Sequence, residues 1–144
     1  MTATIQPAQA KVRRPRASLV LLRIVLVVHA AFIVAQPVAA GYFLAGNVDA
    51  MTSIHSPIGG SVWLIAIIQT IVAAVYWLAG RGRAWPTVAS AALVVAEFVQ
   101  LIFGYAQNFA VHIPLGTAIV VTVVWMTVWS FRPTARLNRQ EAKS

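Results

Sequence analysis

The sequence predicts an all-α membrane protein: a four-transmembrane-helix bundle built from a duplicated helix hairpin. Three observations carry this. The 144 residues are 60% hydrophobic with a mean hydropathy of +0.79. Only 10% are charged, against about 25% in an ordinary soluble domain. Four continuous apolar runs each approach or exceed the roughly 20 residues that carry a helix across a bilayer, and a short polar phrase punctuates them twice. Continuous rather than alternating apolarity favours helices over barrel strands.

Residues 1–18 are a basic tail with Pro7 and Pro15, expected to lie in the cytoplasm. The bundle spans residues 19–131. Its first helix, 19–44, follows the cations Lys11, Arg13, Arg14 and Arg16 and contains Arg23. The run is too long for the core of a secretory signal, so cleavage near Val38-Ala39-Ala40 is disfavoured. A connection with no Lys or Arg leads to the second helix, 58–79, with Pro57 suited to its first turn. Gly80-Arg81-Gly82-Arg83-Ala84 makes a tight link to the third helix, 85–105. A second cation-free connection leads to the fourth, 113–131, with Pro114 expected in its first turn. Residues 132–144 form a second basic tail.

Every Lys and Arg thus falls before the first helix, within its first turns, in the middle link or after the last helix. The excess of basic residues on cytoplasmic segments then places both termini inside, as in a multi-pass protein of a bacterial inner (plasma) membrane. The net charge of +8 flanks spans instead of forming one patch, so the bilayer and its anionic lipids are the expected partners, not nucleic acid. Tyr42, Trp63, Tyr76, Trp77, Trp85, Tyr105, Trp125 and Trp129 crowd the span boundaries, where aromatic residues act as interfacial anchors. The absence of cysteine excludes disulfides, thiolate metal sites, iron–sulfur clusters and haem attached through Cys-x-x-Cys-His.

The repeated phrase carries the candidate chemistry. One copy runs Gln36, Gly41-Tyr42, then His55-Ser-Pro57-Ile-Gly59; the other runs Gln100, Gly104-Tyr105, then His112-Ile-Pro114-Leu-Gly116. Gln36 to His55 spans 19 positions and Gln100 to His112 spans 12, so the first half carries an insertion on its outer side. His55 and His112 are expected at or just before the N-caps of the second and fourth helices, at the same depth. There, two neutral imidazoles clamping one porphyrin give low-spin iron suited to electron transfer. Gly59 and Gly116, one turn deeper, and Gly41 and Gly104, on the partner helices, would let a flat macrocycle approach the backbone. Close helix packing uses glycine at the same spacings.

A second group lies deeper. His29 and Glu97 are expected near mid-bilayer as an intramembrane polar pair, with Gln36 and Gln100 on the same faces. Proton relay, binding of a second ligand and interhelical adhesion are the competing roles. Gln69 is read as joining that network or as core packing. A zinc site of His29, His55 and His112 is disfavoured, because His29 lies roughly 24 Å below the outer end of its helix at 1.5 Å per residue.

On His-x-Pro-(Ile/Leu)-Gly and the preceding Gln and Gly-Tyr, residues 19–131 resemble the small four-helix membrane b-type cytochromes. The layout is closest to one half of heme A synthase. That resemblance implies one b-type haem (heme b) per chain, with His55 and His112 as axial ligands to iron and Gly41, Gly59, Gly104 and Gly116 beside the ring. It implies a redox carrier or subunit more than an independent enzyme, in contact with a quinone or a respiratory complex; assembly into a homo-oligomer stays open. No catalytic glutamate is carried over, since Glu97 is followed three residues later by Gln100 and not by histidine. Propionates would rely on water, Asn47, Ser53, Gln107, Asn108, Tyr42 or Tyr105, because the outer connections hold no arginine. The other reading of the same residues is a haem-free accessory subunit, or a protein that binds a lipid or small molecule.

Overall fold

The computed structural model describes residues 16–49 and 51–138. Most of the two expected tails lies outside the described residues, including Lys11, Arg13, Arg14, Arg139 and Lys143. Four helices follow in order: α1 (Ala17–Leu44), α2 (Ser56–Leu78), α3 (Trp85–Tyr105) and α4 (Phe109–Phe131). A π-helical turn (Met51–His55) leads into α2, and a 3-10 turn (Pro133–Arg136) follows α4. No strand occurs among the described residues. All four helices are long and apolar enough to cross a membrane, the pattern of a multi-pass membrane protein.

Short connections make neighbouring helices antiparallel. Each helix packs on its neighbours in sequence, and α1 also packs on α4, closing a ring. Helices α1 and α3 therefore face each other across one diagonal, and α2 and α4 across the other. Buried positions on every helix recur at alternating three- and four-residue steps: Leu19, Leu22, Leu26, His29 and Ile33 on α1, and Val62, Ala66, Gln69, Ala73 and Tyr76 on α2. On α3 they are Pro86, Ser90, Leu93 and Glu97, and on α4 Ile119, Val123, Met126 and Ser130. This is the seam of a helix bundle. The opposite faces are just as apolar, with Ile24, Leu64, Ile68, Val88, Val95 and Val121 all more than half exposed, as lipid contact requires.

The start of α4 differs from the sequence expectation. Asn108 is its N-cap, and the Asn108 side chain accepts from the Val111 N–H at 3.3 Å, so the helix begins four residues before Ile113. Pro114 thus lies inside the helix and His112 inside the first turn. In the other hairpin the expectation holds: His55 is the N-cap of α2 and Pro57 sits in its first turn. The first connection absorbs its extra length in a bend at Gly46, which adopts φ +99°, and in the π-helical turn.

Not every boundary aromatic is an anchor. Tyr76 is fully buried and its hydroxyl donates to the Ala135 carbonyl at 2.9 Å. Trp129 is buried, 4.5 Å from the Trp85 ring, which in turn lies 4.9 Å from Trp125. These rings lock α2, α3, α4 and the 3-10 turn together at the arginine-rich end. Arg16 donates to the Gly80 and Arg136 carbonyls there, and Arg23 donates to the Ser130 carbonyl at 2.8 Å while lying over the Phe131 ring.

Candidate functional site

At the opposite end, the two hairpins deliver their histidines to the same place across the α2–α4 diagonal. The ring centres of His55 and His112 are 6.2 Å apart, with planes inclined by 61°. Each ring is held by the preceding helix of its own hairpin. His55 Nδ1 lies 3.3 Å from the Gln36 carbonyl oxygen, and His112 Nδ1 lies 3.0 Å from that of Gln100. A carbonyl can only accept, so both Nδ1 atoms carry the proton, and in the neutral ring Nε2 is left as a lone pair. Neither Nε2 has a hydrogen-bond partner among the described residues. An Nδ1–H held by a backbone carbonyl is the usual orientation of a metal-ligating histidine.

The glutamines are part of this site, not of the deeper one. Gln36 Nε2 donates back to the His55 carbonyl at 3.2 Å, and the Gln100 amide rests against Gly116. The physical reason is axial rise: seven residues separate His29 from Gln36, about 10.5 Å along a helix, so sharing a face does not mean touching. The side-chain oxygens Gln36 Oε1 and Gln100 Oε1 are both buried and have no hydrogen-bond partner among the described residues.

The glycines also act differently from the expectation that all four flank a macrocycle. A Cβ on Gly104 would sit 2.8 Å from His112 Cε1, and one on Gly116 would sit 2.7 Å from the Gln100 amide. One on Gly59 would meet Gln36 Nε2 at 3.5 Å and Leu101 at 3.6 Å. These three glycines seat the polar side chains of the site itself. Only Gly41 has an open face, with nothing within 4 Å of its Cβ position.

The donor set can be tested against an axial pair. With metal–nitrogen bonds of about 2.0 Å and ring centres roughly 1.1 Å behind each nitrogen, two imidazoles on one ion have centres about 6 Å apart. The observed separation and the two unengaged Nε2 atoms fit that requirement. The glycine faces, apart from Gly41, are filled and do not line a slot.

Deeper in the bundle, the α1–α3 diagonal is bridged by His29 and Glu97, whose Nε2 and Oε1 atoms are 3.1 Å apart and buried. Two residues of uncertain or unrecognised role in the sequence complete the group. His29 Nδ1 donates to Gln69 Oε1 at 2.7 Å, and Gln69 Nε2 donates to Ser90 Oγ at 2.9 Å. The Gln69 amide orients the whole chain. Its oxygen requires a proton on His29 Nδ1; His29 Nε2 and Glu97 Oε1 approach to 3.1 Å without being aligned as a hydrogen bond. A signal for Gln69 and Ser90 was present: each falls on the buried three–four spacing of its helix.

Among the described residues, no three His, Cys, Asp or Glu side chains gather as a metal-binding group. No family model matches the chain, and neither the curated proteins nor the solved structures contain a match.

Proposed function

We propose that the chain is a multi-pass membrane b-type haem protein, holding one haem between His55 and His112 for one-electron transfer. The observation that carries this reading is the matched pair of imidazoles. Each is anchored through Nδ1 by its own hairpin, with Nε2 unengaged, at a separation suited to a shared ion. If bound, haem would supply an iron that changes oxidation state by one electron, held by His55 and His112. The protein's part is orientation: the Gln36 and Gln100 carbonyls hold both rings in one tautomer, and Gly104 lets α3 approach closely enough to seat His112. In this reading the protein lies in a bacterial inner membrane with its arginine-rich end and both termini in the cytoplasm. A quinone or a respiratory enzyme exchanges electrons with it near the opposite face.

Purification from haem-replete cells tests this. The expected result is a Soret band with sharp visible bands on reduction. That spectrum should be lost in His55→Ala and in His112→Ala, and retained in His29→Ala.

The filled glycines and the two unpartnered glutamine oxygens favour a second reading: a haem-free accessory protein whose histidines and amides take a small polar ligand or a bare metal ion. A colourless protein, with or without stoichiometric metal by elemental analysis, would select it.

A further inference from the structure

The arginine-rich end holds a separate cavity, independent of the histidine site. Its volume is about 610 Å³, and its walls come from three separate stretches of chain: the start of α1, the α2–α3 link and the 3-10 turn after α4. Arg16, Arg81 and Arg136 line it, together with Ser18 and Asn138. No carboxylate lines it among the described residues. The two acidic residues described lie elsewhere, Asp49 in the connection beyond α1 and Glu97 at mid-bundle.

The cavity is built into the fold. Arg16 is fixed by its bonds to the Gly80 and Arg136 carbonyls, which ties all three walls together. Tyr76 reinforces the joint through the Ala135 carbonyl. The Ser18 hydroxyl is buried and has no partner among the described residues. Arg16, the N-cap of α1, makes no side-chain cap hydrogen bond, and the positive end of that helix lies beside the same arginines. Arg81, exposed and at φ +53°, is held in the link by backbone geometry. Guanidinium groups, a hydroxyl and open helix N–H groups are the donors that phosphate oxygens use.

We infer that this cavity is a binding site for a phosphate group, presented by an anionic phospholipid or by a small soluble phosphate. Position favours the lipid. Leu21, one helical turn from the lining residue Ala17, and Leu78, next to the lining residue Ala79, are exposed apolar side chains, where acyl chains would lie with the headgroup among the arginines.

Native mass spectrometry of the full chain tests the site, using phosphatidylglycerol, phosphatidylcholine and inorganic phosphate as probes. One phosphatidylglycerol per chain should remain bound where phosphatidylcholine dissociates. Arg81→Gln should weaken its retention about fivefold, the worth of one arginine near an anionic surface, and Arg81→Glu should weaken it further. Since Arg81 is exposed, near-ultraviolet dichroism of the tryptophan cluster should be unchanged in both variants. Displacement of the lipid by millimolar inorganic phosphate, with phosphate itself bound, would assign the same site to a soluble phosphate. Equal retention of both lipids, or retention indifferent to Arg81, would overturn the proposal.

Discussion

Gly104 and Gly41 occupy equivalent places in the two hairpins, yet a methyl group would meet very different surroundings at each. At Gly104 it would press on His112 Cε1 at 2.8 Å; at Gly41 it would meet nothing within 4 Å. Gly41→Ala should therefore leave thermal stability unchanged or raise it slightly, since alanine is favoured over glycine in a helix by about 0.5–1 kcal/mol. Gly104→Ala should lose about 1–3 kcal/mol through forced displacement of the imidazole, read as a lower melting temperature in detergent. Equal responses would mean that the His112 ring is not seated against α3. The pairing of the two histidines was legible because the shared His-x-Pro-(Ile/Leu)-Gly phrase marks equivalent positions in a repeat, even though the connections before it differ in length. The divergence of their glycines was not, because the side chain filling a glycine's face belongs to another helix.

The polar chain through His29 shows the same limit one level up, at the elements. His29 and Glu97 were legible as a pair from their matching depth, and His29, Gln69, Ser90 and Glu97 all fall on the buried three–four stripe of their helices. The links through Gln69 to Ser90 were not legible, since helical spacing within one segment does not fix depth relative to an antiparallel neighbour. Gln36 and Gln100 share faces with His29 and Glu97 and yet serve the other site. Removing one partner from a buried polar chain costs more than removing both. His29→Leu should destabilise the bundle by about 1–3 kcal/mol by leaving Glu97 and Gln69 unpaired. Adding Glu97→Leu should restore part of that loss. A double variant worse than the single would show that Glu97 has another partner. The early start of α4 belongs here too. Asn108 is a good cap residue, but reading the second hairpin as a copy of the first put the helix start at the proline. Asn108→Ala should cost about 1 kcal/mol and disturb His112, which lies in the turn that the cap initiates.

At the scale of the whole molecule, the two diagonals of the helix ring are bridged at different depths. His55 and His112 approach across α2–α4, and His29 and Glu97 across α1–α3. Four antiparallel helices bring residues 16, 80 and 136 together at one end and 36, 55, 100 and 112 toward the other. The charge asymmetry between these ends was legible in the sequence, whereas closure of the ring by α1 against α4 rests on contacts more than 100 residues apart, such as Thr127 Oγ1 to the Leu26 carbonyl at 3.2 Å. If basic residues orient the chain, the arginine-rich end faces the cytoplasm and the histidine end faces out. The absence of native cysteine makes this directly measurable with single cysteines. Gln107→Cys should react with a membrane-impermeant maleimide applied to spheroplasts, while Thr134→Cys should react only after the membrane is opened. The reverse pattern would place the histidine pair on the cytoplasmic side.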